Sequence, residues 1–101
     1  MIHGRRVFVA EFSVDLRFGI NRLMGFAFQS GLDPKNGDVI LFGGRNRKRL
    51  KVLHGDDTGV WLSGKTFFAE DAHCLIKSIA NGTLREISIS DLASIIDGRK
   101  K

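Results

Sequence analysis

Three short apolar runs in succession, "DVILF", "RLKVLH" and "VWLSGK", occupy the middle of the chain between Asp38 and Lys65. They are separated by "GGRNRK" and by "GDDTG". Runs of this length, rich in Val, Leu and Ile, read as strands. Gly, Asn and Asp supply the dihedrals and local hydrogen bonds of the connections. Strands joined by such short connections can only turn back on themselves, so the segment is committed to an antiparallel meander.

The flanking sequence must cover that meander. "RRVFVAEF" (Arg5–Phe12) reads as a further strand that joins the sheet. Ser13 can cap a helix with Asp15 in its first turn, where the helix dipole favours a carboxylate. Leu16, Ile20, Leu23, Met24, Ala27 and Phe28 then recur at helical spacing, Gly31 suits a left-handed C-cap, and Pro34 stops continuation. Ala72, Leu75, Ile76, Ile79 and Ala80 suit a second helix closed by Asn81-Gly82. "TLREISI" is a short last strand, and Ser90 can cap "DLASIID". These elements predict an α+β fold: a mainly antiparallel sheet of four to five strands with two to three helices packed on one face. The 101 residues form one expected domain, with a core from 5 to 98 and a basic tail at 99–101. Eight Phe and no Tyr predict a Phe-rich core.

The placement of charge bears most directly on function. Of 16 Lys and Arg against 11 Asp and Glu, five fall within seven residues: Arg45, Arg47, Lys48, Arg49 and Lys51. Without them the remaining 11 cations balance the 11 anions, so the whole excess of +5 maps to one hairpin. Arg45 to Lys48 belong to its tip. Arg49 and Lys51 continue along the next strand, where alternation turns Leu50 and Val52 to the core and the cations away from it. A protruding tip with cations along one strand can follow a phosphate backbone, and arginine forks match phosphate oxygens in pairs. The reading is a basic hairpin that binds an anionic partner, most simply nucleic acid through backbone contacts to a DNA duplex, or else an acidic protein. A solvated hairpin that confers solubility, or a charged edge that resists aggregation, uses the same residues. Aromatic interleaving is poor, with Trp61 in the following strand and no aromatic among the cations from Arg45 to Lys51, which argues against a base-stacking platform for single strands.

Other chemistry finds less support. Asp56 and Asp57 could begin a carboxylate cluster for a metal, with Asp15, Asp38 or Glu70, but no spacing fixes a third ligand and "GDDTG" is already a turn. His73-Cys74 lacks the spaced pairs of a zinc site, and His3 and His54 have no evident partner. "FGGRNR" lacks the Lys-Ser/Thr of a nucleotide-binding loop. The chain is therefore expected to be no enzyme and to carry no cofactor and no metal. No apolar run approaches the ~18 residues of a membrane span, and Glu11 interrupts the N-terminal apolar stretch, so neither membrane insertion nor a signal peptide is expected. The single Cys74 fits a reducing cytoplasm.

"VFVAEFSVDLRFGINRL" resembles the opening motif of a bacterial transposon protein, in which an apolar strand is followed by Asp-hydrophobic-Arg-x-Gly and a hydrophobic helix. "ILFGGRNRKRLKVLHGDDTGVWLSGK" resembles its central motif, and "ISISDLASIIDG" its closing helix. The family is the small second-frame protein of the insertion sequence sixty-six group, called TnpB there and unrelated to the RNA-guided nuclease of that name. The likeness runs from Val7 to about Gly98. It departs after Lys65, where "KTFFAEDAHCLIKS" stands. The resemblance carries over Asp15, Arg17 and Gly19 from the first motif, and Gly44, Arg45, Arg49, Lys51, Gly59 and Lys65 from the second. It implies a non-catalytic accessory protein of insertion-sequence transposition, acting beside a separate transposase. Lys65 thereby joins the expected DNA-binding set. The alternative is a protein–protein adaptor for the transposase, without direct DNA contact.

Overall fold

The structure, a computed structural model, describes residues 6–68 and 71–99. His3, Arg5, Glu70, Lys100 and Lys101 therefore lie outside the described residues. In chain order the elements are β1 (Val7–Ala10), α1 (Ile20–Gln29), β2 (Val39–Gly43), β3 (Arg49–Gly55), β4 (Val60–Thr66), β5 (Leu84–Ile87) and α2 (Ile89–Asp97), with a 3-10 turn at Pro34–Asn36 before β2. The strands form one sheet in the order β4-β3-β2-β1-β5. Pairing is antiparallel except between β1 and β2, which run parallel with Val7 opposite Val39. Parallel neighbours cannot be joined by a hairpin, and α1 supplies the crossover between them. The α+β class and the mainly antiparallel sheet are as expected.

β1 and β2 are buried at every position. An unbroken apolar strand has no solvent face, so both sides of the sheet centre need cover. Phe8, Ala10, Ile40 and Phe42 point to one side and pack with Leu23 and Ala27 of α1. Val7, Val9, Val39 and Leu41 point to the other, where Phe67, Cys74 and the partly buried Leu92 and Ile95 of α2 close over them. The helices thus lie on opposite faces and not on one, as the sequence reading expected.

Three further expectations are corrected. First, α1 begins at Ile20, and its N-cap is Gly19, without a side-chain cap. Ser13 bonds the Ser78 hydroxyl at 2.7 Å, while Val14 and Leu16 are both buried with exposed Asp15 between them. That alternation marks extended chain, so Asp15 and Leu16 precede the helix. Phe28, placed on the helix's inner face, is instead exposed. Gly31 does end the helix in the left-handed region, with Leu32 N–H donating to the Ala27 carbonyl and Gly31 N–H to that of Phe28.

Second, no helix forms at Ala72–Ala80. Its amides donate elsewhere: His73 to the Gly98 carbonyl at 2.9 Å, Cys74 to Arg47 at 2.6 Å and Ile79 to Glu11 at 3.1 Å. Ala72, Cys74 and Ile76 face the α2-side core, a period of two that the helical reading overlooked. Third, α2 is capped by Ser88, whose hydroxyl accepts the Asp91 N–H at 3.0 Å, and not by Ser90. Arg99, the first residue of the basic tail, is exposed, pairs with Asp97 through both oxygens and forms an isolated bridge to Ala72.

Candidate nucleic-acid interface

The β2–β3 connection is held from two sides. Within it, the Asn46 side-chain oxygen accepts the Lys48 N–H at 3.0 Å, and Arg47 takes a left-handed φ of 58°. Arg47 and Lys48 carbonyls accept the Cys74 and Phe67 amides at 2.6 and 2.8 Å, tying the tip to the segment that covers the α2 face. On the other side, Val14 N–H donates to the Gly43 carbonyl at 3.1 Å, which lays the 13–17 loop along the hairpin base. Arg45 to Arg49 remain exposed.

Between loop and hairpin lies an open cavity of about 510 Å³ whose lining includes Asp15, Arg17, Gly44, Arg45, Asn46 and Arg49. The fold therefore gathers Asp15, Arg17, Gly44, Arg45 and Arg49, which are far apart in sequence terms, around one concavity. Asp15 closes a small turn: its Oδ1 accepts both the Arg17 backbone N–H at 2.9 Å and Nε at 3.0 Å, and Oδ2 accepts Nη2 at 2.7 Å. These hydrogen bonds, the side-chain ones foremost, hold the Asp15 carboxyl down at about 2 and push the Arg17 guanidinium further up. Both groups are therefore charged at neutral pH.

Lys51 lies alongside, with Nζ donating to the Phe18 carbonyl at 3.4 Å and its charge adding slightly to the depression of Asp15. The ion pairs among the described residues are Arg6–Asp38, Arg17–Asp15, Arg85–Glu11 and Arg99–Asp97. Among the described residues, no carboxylate forms an ion pair with any of the five hairpin cations.

Other expected positions lie elsewhere. Lys65 pairs with Leu50 in the ladder and so shares the α2 face. Its Nζ donates to the Ile96 carbonyl at 2.5 Å near the end of α2 and sits 4.8 Å from the Phe67 ring centroid. Gly19 stands at the start of α1, and Gly59 closes the β3–β4 turn by donating to Asp56 Oδ1 at 2.9 Å. Asp56, considered above as a metal ligand, serves that turn. It accepts the Trp61 indole N–H at 2.7 Å and the Thr58 amide at 2.8 Å. Cys74 is buried, and burial pushes its thiol up, away from the reactive thiolate. The sequence reading missed Val14, Leu16 and Asn46 as parts of the site. The alternation from Ser13 to Arg17 was the available signal.

The geometry is that of a small α+β protein in which a basic hairpin, free of ion pairs among the described residues, and an Asp–Arg loop frame one cleft. The chain belongs to the IS66 Orf2 like protein family, whose model matches residues 5–101. The family is one of insertion-sequence accessory proteins, as the motifs implied. A protein of Sinorhizobium fredii (strain NBRC 101917 / NGR234), described as "Uncharacterized protein y4jC", is 32% identical over 82 residues, covering 80% of this chain and 68% of that protein. No solved structure matches the chain. Among the described residues no helix is long and apolar enough to cross a membrane.

Proposed function

We propose that this protein is a non-catalytic accessory factor of insertion-sequence transposition that grips the phosphate backbone of duplex DNA with its basic hairpin, in the cytoplasm and beside a separate transposase. One observation carries the reading: Arg45 and Arg49 line the cleft that Arg17 also lines, and neither is in an ion pair among the described residues. Arg47, Lys48 and Lys51 extend the cationic surface. Unpaired arginines release the counterions of phosphate without first breaking a salt bridge.

The test is a salt titration of binding to insertion-sequence ends, random duplex and single strands. About five phosphate contacts give a slope of log K against log salt near −4.5, or roughly a 500-fold loss between 50 and 200 mM. The Arg45→Glu, Arg47→Glu, Arg49→Glu variant loses that binding. Unchanged affinity for duplex in this variant rejects the proposal.

A second reading, an adaptor that contacts the transposase directly, draws on the 97% exposure of Phe68, which follows β4 on the surface. Capture of the transposase that survives nuclease treatment and disappears with Phe68→Ser supports it.

A further inference from the structure

We propose that Arg17 contacts phosphate in the cleft and that Asp15 is the positioning residue that presents it. This inference rests on the DNA-binding reading above.

Arg17 is 88% exposed in its side chain, yet its guanidinium is held at two nitrogens by Asp15. An exposed ion pair between sequence neighbours ordinarily contributes little. Here Asp15 Oδ1 also takes the Arg17 backbone N–H, so the loop and the guanidinium are set by the same carboxylate. The pair is formed side-on, through Nε and Nη2. The opposite edge, with one proton on Nη1 and one on Nη2, is left as a second two-pronged donor. That edge has no hydrogen-bond partner among the described residues and belongs to the residue that shares a cleft with Arg45 and Arg49. A planar fork already fixed in orientation is the geometry that phosphate oxygens take up in pairs.

The two roles open to Asp15 differ in sign. A carboxylate that merely lies near the cleft repels DNA, and removing its charge tightens binding. A carboxylate that holds Arg17 in place saves the cost of immobilising a long side chain, worth about two- to tenfold in affinity. Repulsion between Asp15 and phosphate acts in the opposite direction and is weakened by salt, whose Debye length is about 8 Å at 0.15 M. Asp15→Asn keeps an acceptor for the backbone N–H but sets an amide donor against the guanidinium, which breaks the fork.

The experiment measures binding of the full chain to a labelled random-sequence duplex near 0.15 M salt. Asp15→Asn is expected to weaken binding by about threefold although it removes a negative charge. Arg17→Ala weakens binding and lowers the salt slope by about 0.9. In the Arg17→Ala background, Asp15→Asn no longer weakens binding. Tighter or unchanged binding by Asp15→Asn alone overturns the positioning role, and an unchanged slope in Arg17→Ala overturns the contact. Thermal melting checks that each variant is folded. If Asp15→Asn unfolds, the slope of Arg17→Ala decides, since that side chain is almost wholly in solvent. Absence of salt-dependent duplex binding by the unaltered protein is a separate result that rejects the DNA-binding reading itself.

Discussion

Gly44 and Leu16 meet at the floor of the cleft: a Cβ on Gly44 would stand 3.0 Å from Leu16 Cδ1 and 3.2 Å from its Cγ. Leu16 is 8% exposed and packed into the α1-side core, so it has little room to yield. The missing side chain lets the Asp15–Arg17 loop lie on the hairpin base. Gly44→Val is expected to cost about 1–3 kcal/mol by overpacking and to weaken DNA binding in parallel. Gly59 shares the family motif but has nothing within 4 Å of such a Cβ. Gly59→Ala should therefore stay within about 0.5 kcal/mol of the unaltered protein. Denaturant unfolding of the two variants checks the contrast.

Lys65 lies on the α2 face and does not line the cleft of Arg17, Arg45 and Arg49. Its ammonium serves the carbonyl end of α2 through Ile96. Lys65→Met is expected to lower stability by about 0.3–1 kcal/mol, an effect that salt reduces. It should leave the salt slope of DNA binding unchanged. A slope lowered as much as by Arg49→Ala would place Lys65 among the contacts.

Two serines near α2 give a direct test of the cap. Ser88 accepts the Asp91 N–H, whereas Ser90 lies within the helix and makes no such bond. Ser88→Ala should cost about 1 kcal/mol. Ser90→Ala, at an exposed helical position, should be neutral or slightly stabilising because Ala is the better helix former. Melting temperatures of the pair distinguish the outcomes.

Acid should weaken the fold through named carboxyls. Asp56 is held down from the ordinary 3.8 to about 2, chiefly by the Trp61 indole N–H and then by the Thr58 and Gly59 amides. Asp15 falls equally, through Arg17. A carboxyl whose pKa is lower in the folded state adds stability that is fully present above its unfolded value and is lost as the pH drops toward its folded value. Stability should therefore decline as the pH falls from about 4 to about 2. Asp56→Asn should start less stable at neutral pH and lose less across that window. Circular dichroism during acid titration checks both statements.

The central meander was legible because its causes are local. The Asp56–Gly59 turn is closed by its own side chain, and β2, β3 and β4 follow from apolar runs between Gly and Asp. Gly31 could be read as a C-cap for the same reason. The errors fell where a local pattern had two solutions. Ala72, Ile76, Ile79 and Ala80 suit a helix, but Ala72, Cys74 and Ile76 suit extended chain equally well. The choice was made by the Arg47, Glu11 and Gly98 carbonyls, which lie in distant parts of the chain. Ser13 likewise had the chemistry of a cap, yet burial of Val14 and Leu16 drew its segment out along the hairpin.

By itself the sequence determined the strands of the meander, the concentration of its net positive charge in one hairpin, and the family. Each of these is carried by neighbouring residues, whose spacing and turn chemistry act over a few positions. Tertiary structure alone decided that α1 and α2 cover opposite faces, that Lys65 turns to α2, and that Arg17 joins Arg45 and Arg49 around one cleft. Those outcomes depend on which distant carbonyl satisfies a given amide and which apolar face remains to be buried, and both are set only when the whole sheet closes.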